Sequence, residues 1–165
     1  MSGAVMRVGA ALVVVLTTVF VATSQSKATT KIDDPEKFVR GVYAQIEKQP
    51  DKTREPEDIY SQRLSDLFAL DSKEAGGEVG RIDFDPWTNS QDSEIHNVHV
   101  SSKPVESAPS RRTVRATFKN LGRSEDIRFY FEQTKKGWKL DDMRSVGKDS
   151  WTLSLILKYG WDDEK

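Results

Sequence analysis

Apolar residues recur along this chain with two different periods, helical in the first half and alternating in the second. Phe38, Val39, Val42, Tyr43 and Ile46 share one helical face. Asp34-Pro35-Glu36 stands just before them as a start signal. Asp caps, Pro fits the first helical position, and Glu complements the positive helix end. Gln49 to Glu55 is charged and interrupted by Pro50, which predicts a loop. A second stripe of Tyr60, Leu64, Leu67 and Phe68 predicts a helix from near Glu57 to about Asp71, with Gly76-Gly77 beyond its end. Each helix has one apolar and one charged face, so each must pack against something else.

From Thr113 onward the period changes to two. Val114, Ala116 and Phe118 alternate with charged and hydroxyl residues, and Asn120-Leu121-Gly122-Arg123 turns the chain. Ile127, Phe129 and Phe131 alternate with Arg128, Tyr130 and Glu132, and Lys135-Lys136-Gly137 turns it again. Trp138 and Leu140 then alternate with Lys139 and Asp141. Three such strands joined by short turns predict an antiparallel meander with one covered face. An earlier strand is expected from Asn97 to Val105, with Val98 and Val100 facing in. A last helix is expected from near Ser150, carrying Leu153, Ile156 and Leu157 and ending at Gly160. Helices first and sheet afterwards give an α+β fold, with the helices packed on one face of a curved antiparallel sheet.

The amino-terminal end is read as an export signal. Arg7 is the one basic residue before Lys27, Val8 to Ala22 is almost wholly apolar, and Ala22-Thr23-Ser24 supplies the small residues of a cleavage site after Ser24. The alternative is an uncleaved membrane anchor, but the apolar run is shorter than the about 20 residues a spanning helix needs. Residues 25–34 form a flexible lead-in, 35–160 a single domain, and 161–165 an acidic tail. Cleavage removes one of the 25 basic residues and none of the 26 acidic ones, leaving a charge of −2. That balance argues against a nucleic-acid partner. With no cysteine, disulfides, thiolate nucleophiles and cysteine–metal sites are all excluded.

Candidate chemistry concentrates in the loop from Asp83 to Asp92. Asp83 and Asp85 share one side of an extended segment, with Asn89, Gln91 and Asp92 close by. Oxygen donors at this density suit a hard cation, although the spacing is not that of a calcium-binding helix-loop-helix. The competing readings are a ligand or partner surface, and Asp and Asn side chains that simply close turns around Pro86. Trp87, Tyr130 and Trp138 are candidates to line a small apolar pocket. Trp138, in phase with Leu140, reads equally as a core aromatic. Asp141-Asp142 is placed at a strand end, capping or pairing with Arg128 or Arg144. His96 and His99, three apart on an extended segment, face opposite sides of the sheet and cannot share a metal. Arg111-Arg112 and Lys135-Lys136 read as solvated loop charges. No nucleophile elbow or phosphate loop is present, and no metal or cofactor is expected.

The order of elements resembles the cone-shaped fold of the nuclear transport factor 2-like superfamily. Gly76-Gly77-Glu78-Val79-Gly80-Arg81-Ile82-Asp83-Phe84-Asp85-Pro86-Trp87, followed by Asn89-Ser90-Gln91-Asp92, resembles the signature of a bacterial exported family catalogued as domain of unknown function 3828. Phe118-Lys119-Asn120-Leu121-Gly122 and Gly137-Trp138-Lys139-Leu140-Asp141-Asp142-Met143 fit the same pattern, so the resemblance spans Phe38 to Leu157. It implies a fold and a periplasmic or secreted location, but no activity. The expected function is therefore a non-enzymatic binding module for a small ligand or an envelope protein, in one version an inhibitor or immunity-type protein. The alternative, drawn from isomerases of the wider superfamily, is an isomerase or hydrolase with an acidic residue in the cone. A monomer and a homodimer joined through the open sheet face both remain compatible with the pattern.

Overall fold

The computed structural model describes residues 30–50, 58–147 and 149–161. The expected export signal, the first half of the lead-in, the charged loop beyond Pro50 and most of the acidic tail lie outside the described residues. Over these described residues the fold is α+β, with three helices and a five-stranded antiparallel sheet in the order β1-β2-β3-β4-β5. Among the described residues no helix is long and apolar enough to cross a membrane.

Helix α1 (Pro35–Lys48) begins as its residues predict. The Asp34 carboxylate accepts from Glu36 N at 2.9 Å and Lys37 N at 3.1 Å, and Pro35 opens the first turn. Its stripe of Val39, Val42, Tyr43 and Ile46 is buried. Helix α2 (Gln62–Ala75) starts about a turn later than the periodicity suggests. Ser61 is its cap, accepting from Leu64 N at 3.1 Å, and Gly76 closes it with φ of 62°. Residues 58–60 are not helical because a strand claims them. Leu140 N donates to Ile59 O and Ser61 N donates to Leu140 O, each at 2.8 Å. Tyr60 therefore forms a parallel bridge with Leu140, although its ring still meets Phe68.

The strands are longer than alternation alone suggested: β1 (Ile95–Val105), β2 (Ala108–Asn120), β3 (Arg123–Thr134), β4 (Gly137–Ser145) and β5 (Trp151–Thr152). Arg111 and Arg112 thus belong to β2 rather than a loop. Arg111 reaches Asp141, and Arg112 lies over the Trp138 ring at 5.5 Å. Helix α3 (Leu153–Tyr159) begins three residues beyond Ser150, because Trp151 and Thr152 first pair with Ser145 and Arg144.

Two bulges correct the sequence reading. In β1 the pairing passes from His96↔Lys119 to His99↔Thr117, three residues against two, around Asn97 at φ 57°. Lys119 and Thr117 share a face, so His96 and His99 also share one, the outer face, where both are exposed. Val98 falls in the bulge and is only partly buried, while Val100 is buried. In β4 the pairing passes from Tyr130↔Asp142 to Phe131↔Leu140, leaving Asp141 as the extra residue. The strand therefore continues through Asp141-Asp142 instead of ending there.

The core lies between α1 and the inner sheet face. Val114, Ala116, Ile127, Phe129, Phe131, Leu140 and Met143 are at most 1% exposed. Tyr43 packs on Phe118 and Phe129, and Phe38 on Phe131. The free edge of β4 is covered by Ile32, which accepts from Trp138 N at 2.8 Å, and by Ile59 to Ser61.

Candidate functional site

A cleft of about 850 Å³ opens between the C-terminal half of α1, α2 and the connection that leads from α2 to β1. Its floor is apolar: Val42 and Ile46 from α1, Phe68 from α2, and Ile82, Phe84 and Trp87 from the connection. Its walls carry Asp71, Glu78, Asp83, Asp85 and Asp92, and no Lys or Arg is among the described lining residues.

The walls are held by polar contacts that local sequence patterns did not show. Asp71, 7% exposed, accepts from Arg81 N through both oxygens at 3.1 and 3.2 Å and from the Arg81 guanidinium at 3.0 Å. The same guanidinium meets Glu74 at 2.7 Å. Gly80 lies so close that an added Cβ would stand 2.2 Å from Asp71 Oδ2, so the clamp requires glycine there. Further along, Asp85 closes a tight turn. Its Oδ1 accepts from Trp87 N at 2.9 Å, its carbonyl accepts from Thr88 N and Asn89 N, and its N–H donates to Ser90 O.

That turn is tied to the sheet through a buried polar network. Asn120, fully buried, donates to Thr88 O at 2.9 Å and Ser90 Oγ at 2.6 Å and accepts from Glu94 N at 2.9 Å. Asn89, at φ 56°, donates to Glu125 at 2.8 Å and accepts from the Trp151 indole at 2.7 Å. Tyr43 donates its hydroxyl to Trp87 O at 2.8 Å. Burial, reinforced by the Asp85 and Glu125 charges, pushes the Tyr43 phenol well above its ordinary pKa, so it stays a donor. Trp87 itself is 5% exposed and stacks on Phe129 with centroids 4.7 Å apart.

Of the residues singled out from sequence, Asp83, Asp85, Trp87, Gln91 and Asp92 all line this cleft. Tyr130 and Trp138 do not. Tyr130 points to the outer sheet face opposite Thr113 and Asp142, and Trp138 is buried under Arg112 beside Ile32. Asp85 and Asn89 spend their side chains on Trp87 N, Glu125 and Trp151, and no group of three or more His, Asp or Glu among the described residues is arranged to hold a metal. Sequence reading missed Val42, Ile46 and Phe68 as part of the cleft lining, because a helical stripe looks the same whether it meets a sheet or borders a cleft.

No family model matches this chain, and no curated protein matches it. Among solved structures, the phospholipid-binding protein from Ralstonia solanacearum in complex with a phospholipid is similar at 25% sequence identity and a TM-score of 0.31. That likeness covers 59% of this chain and 47% of the other, so it spans less than half of that protein.

The acid–base alternative needs an acidic residue of raised pKa in an open pocket on the inner sheet face. That face is filled by Phe118, Phe129, Phe131 and Trp138, none more than 8% exposed. Asp141 is bound by Arg63 at 3.1 Å, Ser61 at 2.7 Å and Arg111 at 3.3 Å, rather than by Arg128 or Arg144. Asp142 instead accepts from Ser154 N at 3.0 Å at the start of α3. Burial pushes the Asp141 carboxyl up, but the hydrogen bonds from Arg63, Ser61 and Arg111 and the Arg63 charge outweigh it, holding the group below its usual value. A lowered folded-state pKa favours the fold only while the carboxylate is ionised. Its stabilisation is present above about pH 4 and is lost as pH falls through the lower folded-state value. In thermal melts, Asp141→Asn is expected to lose stability at neutral pH yet decline less steeply than the parent on acidification. Parallel declines of the two proteins would contradict this role.

Proposed function

We propose that this protein is a non-enzymatic binding module whose cleft between α1, α2 and the Gly76–Ser93 connection receives the apolar part of a ligand or partner. The observation that carries this reading is the coincidence of an apolar floor with walls clamped from below. A volume of about 850 Å³ falls within the range of ligand-sized sites. The Asp71–Arg81 clamp and the Asn120 network hold the cleft walls in place, which reduces the ordering a bound group would require. The bound, low-pKa state of Asp141 and the aromatic filling of the inner face favour binding over acid–base chemistry.

The finer expectations belong to the same proposal. They are an exported protein, membership of the family catalogued as domain of unknown function 3828, a cone of the nuclear transport factor 2-like kind, and an inhibitor or immunity-type role. Helices ahead of an antiparallel meander support the family reading, as does the position of the Gly76 to Asp92 motif, which builds the cleft wall.

The test is a fluorescence titration with Nile red, a neutral apolar dye. The wild-type chain is expected to bind it with a blue shift, and Phe68→Ser is expected to weaken binding roughly tenfold through lost apolar contact. Absence of dye binding, or equal binding by the variant, would overturn the assignment of this cleft.

A further inference from the structure

Resting on the cleft as a binding site, we infer that its occupant is a cationic amphipathic segment of a partner protein, with apolar side chains on the floor and Lys or Arg side chains against the rim. The charge distribution argues for this first. Five carboxylates line the cleft, and the nearby guanidinium of Arg81 is already committed to Asp71 and Glu74. The Asp85 carboxylate is turned to its own backbone. Glu78, Asp83 and Asp92 are exposed and, among the described residues, make no ion pair or side-chain hydrogen bond. Three carboxylates that have no ion-pair partner among the described residues, set around one apolar floor, repel an anionic or acidic occupant and attract a basic one.

The shape of the rim argues for a protein segment over a small molecule. Small-ligand sites bury most of the ligand's surface, whereas this cleft is open along the rim formed by Glu78, Val79, Asp83, Gln91 and Asp92, all exposed. Val79 is 78% exposed, an apolar side chain standing outside the floor that a small occupant would leave in water. A segment that runs past the rim covers Val79 and places its basic side chains beside the flanking carboxylates. Apolar anchors in the groove with charged groups at the edge is the usual arrangement of an amphipathic helix in a groove.

The experiment is isothermal titration calorimetry of the full chain with three synthetic peptides that share one helical pattern of Leu. Their remaining positions are all Lys, all Gln or all Glu. The Lys peptide is expected to bind tightest and the Glu peptide not at all, and raising salt from about 50 to about 500 mM should erase most of the Lys advantage. The exposed-site variant Glu78→Gln/Asp83→Asn/Asp92→Asn is expected to lose roughly tenfold for the Lys peptide and nothing for the Gln peptide. A control with the same charge change elsewhere, Asp66→Asn/Glu106→Gln/Asp149→Asn, should bind as the parent does. Equal binding of the Lys and Gln peptides, or equal losses in the two triple variants, would overturn the cationic occupant while leaving the cleft as an apolar site. Failure of all three peptides together with failure of Nile red would remove the cleft itself. Nile red binding without any peptide binding would overturn the protein-segment occupant alone.

Discussion

Phe129→Ala is expected to lower the unfolding free energy by about 3–5 kcal/mol, the largest loss from any single side chain in this domain. Phe129 lies on the central strand β3 and is fully buried. It touches the two layers that meet on the sheet: the Trp87 ring stacks on it at 4.7 Å, and Tyr43 meets it edge-on at 6.2 Å. Its strand neighbours Val114 and Met143 are also fully buried, so surrounding atoms have little freedom to close the space the ring would leave. Aromatic stacking adds about 0.5–1.5 kcal/mol beyond area burial. A domain of this size has about 5–15 kcal/mol in all, so the loss is a large share of it. Denaturant unfolding measures the effect, and Phe129→Leu should recover part of it. A loss below about 1 kcal/mol would show that the Trp87–Phe129 stack is not central to the core.

The second large effect is polar. Asn120→Ala is expected to destabilise by about 2–4 kcal/mol, because Thr88 O, Ser90 Oγ and Glu94 N lose their partner together in a buried position. Asn120→Asp should be no better, since a carboxylate oxygen would then face the Thr88 carbonyl, acceptor against acceptor. The two substitutions differ from Phe129→Ala in where the damage appears. Hydrogen exchange should accelerate first from Thr88 to Glu94, the segment that Asn120 anchors, and Nile red binding should weaken as the cleft floor at Trp87 loosens. Uniform loss of protection across the sheet, with the cleft unaffected, would argue against a local anchoring role.

Both effects concern residues whose importance was unevenly legible. Phe129 belongs to a plain alternation of Ile127, Phe129 and Phe131, and its burial follows from that pattern. Asn120 reads in sequence as a turn residue before Leu121-Gly122, yet it is a fully buried strand residue paired with Ile95 and Arg123. The clamp of Asp71 on Arg81 was equally hidden. Asp71 looked like the end of a helix, whereas α2 continues to Ala75 and turns that carboxylate toward the connection.

What the sequence by itself determined are the features set by neighbours along the chain. Asp34-Pro35 starts α1, Gly76 ends α2, the period of two makes the meander, and the apolar alternation says which face is inside. Each depends on local backbone preference and on the period with which side chains repeat. Tertiary structure alone decided the rest. Leu140 draws Ile59 to Ser61 out of the second helix, the bulge at Asn97 puts both histidines on one face, and the bulge at Asp141 carries β4 onward to meet β5. The cleft is of the same kind. Its floor and its acidic rim come from α1, α2 and the connection that follows α2, and they form one surface only because Asp71 and Asn120 pull the connection against α2 and the sheet. Buried hydrogen bonds of that sort depend on which distant groups would otherwise lose water without a partner, a condition that no stretch of the chain carries on its own.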